Sequence, residues 1–197
     1  MSRTMVGMTL AMHKLLPCAA LVFALSAVAT AAPKIGKSDQ VLADAKAKAA
    51  DQHKSIFLIF GASWCPECHT LDSFLEAPEV RQIFDKYFVI ARLSVAEELA
   101  GHPNLNNPGS DTLLVKFGGI GPNGEVGLPY VVVLDEKAKG LANSNRPVKG
   151  KAAGEGIGFP TEPEEIAWFL SMLTKGAPSL TPEEARVVEQ ILRRVGG

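Results

Sequence analysis

The chain has 197 residues, 47% of them hydrophobic, with 20 Lys and Arg against 21 Asp and Glu. This near-neutral balance, without a basic cluster, argues against a nucleic-acid partner and against attachment to an anionic membrane surface. The length suits one domain of ordinary size with a proper core.

Arg3, His13 and Lys14 precede an apolar run from Leu15 to Val28, and Ala29, Thr30 and Ala31 follow it. A positive start, a short apolar centre and an A-x-A ending describe a secretory signal peptide. Cleavage is therefore expected near Ala31-Ala32, leaving 32–197 as the mature domain. The alternative is a retained anchor, for which the run is short. Without residues 1–31 the basic count falls to 18 and the net charge to −3. Cys18 leaves with that segment, and Cys65 and Cys68 remain, spaced C-x-x-C. An exported protein, periplasmic or secreted, meets an oxidising compartment where such a pair can form a disulfide. A bridge across so short a loop restricts the unfolded chain little, so chemistry explains the pair better than stability does.

Ser38 is expected to cap a helix running to about Lys54, rich in alanine and thin in its apolar face. Ile56 to Phe60 are five apolar residues ending at Gly61, which fits a strand buried on both faces. After the cysteines, Leu71, Phe74 and Leu75 recur at helical spacing until Pro78. Val80, Ile83, Phe84 and Tyr87 then mark a one-sided helix. Phe88 to Val95 reads as a second central strand. Residues 101–112 read as a loop, Thr112 to Phe117 as a short helix, and Gly118 to Gly127 as another loop. Tyr130 to Leu134 is a strand entered directly from Pro129. Residues 135–140 look like a hairpin turn into an edge strand at Leu141 to Ser144. Residues 145–160, rich in glycine, are expected to be irregular and mobile. Thr161 is expected to cap a helix carrying Ile166, Phe169, Leu170 and Leu173. Thr181-Pro182-Glu183-Glu184 opens a last helix with Val188, Ile191, Leu192 and Val195 on one side. Alternating strands and helices imply an α/β fold, a central mixed sheet flanked by helices, with an antiparallel portion late in the chain.

Trp64-Cys65-Pro66-Glu67-Cys68 lies between the first strand and an amphipathic helix. Cys65 is thereby placed where unpaired N–H groups and the helix dipole favour its thiolate. Pro66 suits the first helical position, since it has no N–H to leave unpaired. Cys68, one turn on, can reach back to Cys65. A thiolate at Cys65 would attack a substrate disulfide, and Cys68 would resolve the mixed disulfide. A carboxylate at Glu67 should disfavour the Cys65 thiolate and make the couple more reducing. Trp64 is a candidate substrate platform beside the pair.

The stretch FGASWCPEC after an apolar strand, and GLPYVVVLD some sixty residues later, resemble the thioredoxin superfamily. Within it the chain is most similar to the C-terminal thioredoxin-like domains of transmembrane thiol–disulfide interchange proteins and their small exported relatives. Those share the APEV segment after the active-site helix and the G-L-P before the strand. The likeness spans about residues 40–175, with the loops at 101–112 and 145–160 and an extra C-terminal helix as additions. The resemblance implies a cis-proline at Pro129 facing the disulfide, with Leu128 pairing through its backbone to substrate. It implies a monomeric oxidoreductase that reduces or isomerises protein disulfides. Its partners would be protein thiols and disulfides and a membrane electron donor, with no cofactor beyond the Cys65–Cys68 disulfide and no metal. The chain departs from the family at Ile59, where thioredoxins carry a buried aspartate that helps to deprotonate the resolving cysteine.

Three rival readings use the same residues. Cys65-Pro66-Glu67-Cys68-His69 is also a C-x-x-C-H haem-attachment motif, with His69 as proximal ligand. Against it stand the buried strand before the motif and the absence of any role for Pro129. The cysteines with His69 or His53 could bind copper or zinc, although that set is incomplete for a closed site. A redox-inert binding fold is disfavoured by the presence of both cysteines.

Overall fold

The computed structural model describes residues 35–120 and 127–196. The expected signal segment at 1–31 and residues 121–126 of the glycine-rich loop lie outside the described residues.

The helices are α1 (Ser38–Gln52), α2 (Pro66–Glu76), α3 (Pro78–Tyr87), α4 (Ser110–Lys116), α5 (Pro163–Gly176) and α6 (Pro182–Gly196). The strands are β1 (Ser55–Gly61), β2 (Phe88–Ser94), β3 (Tyr130–Leu134), β4 (Gly140–Asn143), β5 (Asn145–Val148) and β6 (Lys151–Gly156). The main sheet runs β2-β1-β3-β4, with β1 parallel to β2 and antiparallel to β3, and β3 antiparallel to β4. The mixed sheet therefore follows the sequence expectation.

Alternation along the strands divides the core into two layers, because successive side chains point to opposite faces. Phe57 and Ile59 of β1, with Val131 and Val133 of β3, face α2, α3, α5 and α6. Ile56, Leu58 and Phe60, with Tyr130, Val132 and Leu134, face α1 and α4. The first layer is aromatic: Phe57 meets Phe84 edge-on at 5.1 Å, and Phe74 meets Phe84 and Phe169 in the same way. The second layer is thinner, since α1 contributes Ala45 and Ala49.

Four local expectations are corrected. The strand at Phe88 is an edge strand rather than a central one. It reads as central because Phe88, Ala91 and Leu93 are buried beneath helices on both sides. Ser38 is not the cap of α1. Lys37 holds that position, and Ser38 is buried with its N–H donating to the Pro108 carbonyl at 3.0 Å. Thr161 does not cap α5, where Glu162 and Glu165 form the capping box instead. Finally, residues 145–160 are not irregular throughout. β5 and β6 form a separate two-stranded hairpin, with Val148 opposite Lys151. Its two-residue turn is permitted by Gly150 at φ 87°, a conformation that suits glycine. Near the site, the expected loop at 101–112 also contains a 3₁₀ turn, Pro103–Leu105, preceded by another at Glu97–Ala100.

Candidate functional site

β1 ends at Gly61, and the chain turns through Ala62, Ser63 and Trp64 into α2. Cys65 is the N-cap of α2 and Pro66 its first residue. Cys65 and Cys68 are joined by a disulfide, with their Cα atoms 5.3 Å apart. The Cys68 N–H points at Sγ of Cys65 (3.2 Å) and also reaches the Cys65 carbonyl. A helix begins on the sulfur of Cys65, so the partial positive charge of the helix start is directed at that atom. Both cysteines are largely covered, at 4% and 8% exposure. Leu128 packs against them. The Leu128-Pro129 bond is cis, and Pro129 is buried at the entry to β3. The two motifs that lie about sixty residues apart in sequence thus meet in space.

The residue after the proline anchors that side. The Tyr130 O–H donates to the Phe117 carbonyl at 2.8 Å, and burial pushes its ionisation well above the usual phenol range. Ser144 is buried where β4 ends. Its Oγ accepts from the Val131 N–H (2.7 Å) and donates to the Val131 carbonyl, completing the edge of β3. Beside Pro129 runs a groove of about 630 Å³, whose other wall is β6 and Gly158.

Trp64 is 41% exposed, and its indole N–H donates to the Ala96 carbonyl at 2.9 Å. Pro66 and Glu67 are exposed at the helix start. Glu67 is nevertheless engaged: its Oε2 accepts from the Phe159 N–H at 3.0 Å. Gly158 sits so close that a Cβ there would collide with the Glu67 carboxylate. His69 is exposed, and its Nε2 lies 2.8 Å from the Ser63 carbonyl, to which it donates. His53 lies at the far end of α1, its ring about 4.0 Å from Glu136. Among the described residues, no three His, Cys, Asp or Glu side chains are grouped so as to hold a metal ion.

Sequence reasoning missed Glu97. This residue is 1% exposed, and its two carboxylate oxygens accept from the Ser63 N–H (2.8 Å) and Ser63 O–H (2.6 Å). Asn106 accepts from the Glu97 N–H and donates to Glu98, which holds the turn in place. Nothing in the spacing of Glu97 and Glu98 says which one turns inward.

A paired-cysteine helix start against the centre of a mixed sheet, with a cis-proline beside it, defines a thioredoxin-fold disulfide protein. The family model described as thioredoxin-like matches residues 38–136, just over half of the chain, and the chain belongs to that family. With its Cys65–Cys68 pair it is a thiol–disulfide oxidoreductase. No curated protein matches the chain. Similar solved structures include a disulphide isomerase from Xylella fastidiosa, 22% identical over 57% of this chain and 76% of that one, at a TM-score of 0.44. The C-terminal domain of DsbD from Neisseria meningitidis is 23% identical over 56% and 84%, at 0.38. A thioredoxin-fold protein from Helicobacter pylori is 13% identical over 73% and 84%, at 0.37. Among the described residues, no helix is long and apolar enough to cross a membrane.

Proposed function

We propose that this chain is an exported oxidoreductase that reduces or isomerises disulfides in other proteins, with Cys65 as nucleophile and Cys68 as resolving thiol. One observation carries the assignment of roles: Sγ of Cys65 accepts the Cys68 N–H at the start of α2. Once the pair is reduced, that hydrogen bond and the helix dipole favour a thiolate on Cys65 rather than on Cys68. The thiolate attacks a substrate disulfide, one substrate sulfur leaves with the bonding electrons, and a mixed disulfide remains on Cys65. Cys68 then displaces the second substrate sulfur and the Cys65–Cys68 bond re-forms.

Leu128 and Pro129 shape the place where the substrate chain lies. Leu128 is in contact with the pair, and the groove beside Pro129 gives an extended segment room to continue toward β6. Trp64, next to Cys65 in the chain, supplies an exposed aromatic surface. Export follows from the composition of residues 1–31, and a periplasmic protein of this kind would draw electrons from a membrane donor. No cofactor beyond the disulfide enters this reading. The carboxylate of Glu67, set between the two cysteines, disfavours the thiolate and so shifts the couple toward reductant or isomerase, with the direction left to the reduction potential. The haem-carrier reading gains nothing from His69, whose Nε2 is taken by the Ser63 carbonyl.

The test is disulfide reduction in insulin with dithiothreitol as electron source. Cys65→Ser is expected to abolish the catalysed rate, and Cys68→Ser to accumulate protein covalently linked to substrate. Full activity in the Cys65→Ser protein would sink the assignment. Reduction potential then fixes direction: a value near that of thioredoxin, about −270 mV, marks a reductant, and one near about −120 mV an oxidant.

A further inference from the structure

Resolution requires Cys68 to lose a proton, and Cys68 lacks the helix-start position that serves Cys65. A cavity of about 200 Å³ lies beside it, walled by Ile59, Gly61, Ser63, Cys68 and Leu93, with Glu97 also on its lining. Ile59 offers no acid or base. Besides Cys68, four ionisable groups line this cavity: His69 and Asp72 from α2, Arg92 from β2, and Glu97 from the 3₁₀ turn. His69 donates to the Ser63 carbonyl from an exposed position. Asp72 is paired with Arg92 at 2.9 Å, both about half exposed. Glu97 differs from these in being almost fully buried, at 1% exposure. Its two bonds to Ser63 fix the carboxylate while leaving further lone pairs, since each oxygen can accept more than once. A water occupies about 30 Å³, so the cavity has room for a short chain of them between polar walls.

We propose that Glu97 accepts the proton of Cys68, passed through water in this cavity. The assignment rests on the thiol–disulfide reading above. The Cys68 S–H bond breaks and its proton goes to the Glu97 carboxylate. The thiolate left on Cys68 forms a bond to Sγ of Cys65, and the bond from Cys65 to the substrate sulfur breaks. That sulfur departs with the electron pair and takes up a proton, for which the one on Glu97 is available through the same water. Two electrons pass from the dithiol to the substrate, and Glu97 returns to its ionised state.

The reduced protein mixed with dithiobis(nitrobenzoate) separates the two steps, because Cys65 releases the first nitrothiolate and Cys68 the second. Glu97→Gln is expected to leave the first release within about two-fold and to slow the second at least about ten-fold at neutral pH. The second should recover as alkali ionises Cys68 unaided, near the ordinary thiol value of about 8.5. Asp72→Asn and His69→Gln should each keep the second release within a few-fold. A second release unchanged in Glu97→Gln overturns the proposal. So does an equal slowing of both releases, or a slow second release in Asp72→Asn as large as that in Glu97→Gln. The unsubstituted protein gives an independent check. Its second release should stay fast well below pH ~8.5, and one that rises only through that range overturns the proposal. Failure of either release in unsubstituted protein overturns the oxidoreductase reading, and this assignment with it.

Discussion

The segment from Ala96 to Asn107 and the segment from Ser144 to Pro160 both connect to the disulfide region through a glutamate, in opposite senses. In the first, the flanking segment supplies the glutamate: Glu97 reaches in and holds Ser63 by two bonds. In the second, the site supplies it: Glu67, from the dipeptide between the cysteines, reaches out to the Phe159 N–H. Glu97 is buried and Glu67 is exposed. Burial separates the two more than bond count does. A buried carboxylate that loses its donors has no water to turn to, whereas an exposed one is resolvated at little cost. The first clamp is therefore part of the structure of the active-site loop, and the second adjusts the position of a neighbouring wall.

Substitutions can test that contrast. Glu97→Ala removes both bonds that hold Ser63, an exposed residue whose donors can turn to water, and is expected to lower stability by about 1–2 kcal/mol, read from urea unfolding midpoints. A loss below about 0.5 kcal/mol would mean that water reaches this site and that the contrast with Glu67 is unfounded.

Glu184 supplies a scale between the two. The Thr181 N–H, then Lys86, Tyr87 and the Thr181 hydroxyl, hold its carboxyl down to about 2 from an ordinary 4.5. A depressed value means the stabilisation is fully present above about 4.5 and is lost as pH falls toward about 2. Glu184→Ala is expected to cost about 1 kcal/mol at neutral pH, as for charge at a helix start. The difference from the unsubstituted protein should close as pH drops through that window in a thermal-unfolding series. A gap constant down to pH 2 would show that packing rather than charge carries it.

Glu67→Gln is expected to show the smallest effect, within about 0.5 kcal/mol of stability, because the glutamine oxygen can still accept from the Phe159 N–H. It also removes a negative charge beside Cys65. The reduced form should gain about two-fold in equilibrium with glutathione, a potential about 10 mV less negative. A shift in the opposite direction would show that the bond to Phe159, not the charge, governs the couple.

What could be read from the sequence follows the same division. Ile56 to Phe60, the stripe Val80, Ile83, Phe84 and Tyr87, and the approach through Pro129 to a VVVL strand all express apolar periodicity, which survives without knowledge of neighbours. The meeting of Cys65 with Leu128 was legible through resemblance, not through spacing. Periodicity could not place Phe88 to Ser94 at an edge, because helices cover that edge and its burial imitates a centre. The hairpin at 145–156 was illegible because its strands are mostly exposed or half-buried, and the segment carries three glycines and charged residues with little β preference. It is held by its ladder, by Gly150 in the turn, and by Arg146 and Lys151 around Glu155. Glu97 was hidden for a different reason. Its neighbour Glu98 has the same side chain, and the choice between them is made by Ala96 at φ 55° together with Asn106, a residue nine positions on.

β4 closes the main sheet with only four residues, and the Trp168 indole N–H already occupies the Asn143 carbonyl at its end. The chain then leaves the plane at Ser144 to build the hairpin instead of lengthening the border. An edge strand presents unpaired N–H and C=O groups to stray strands seeking a ladder. A short border, with one acceptor already committed to a helix side chain, gives such strands a poor template and disfavours edge-to-edge association.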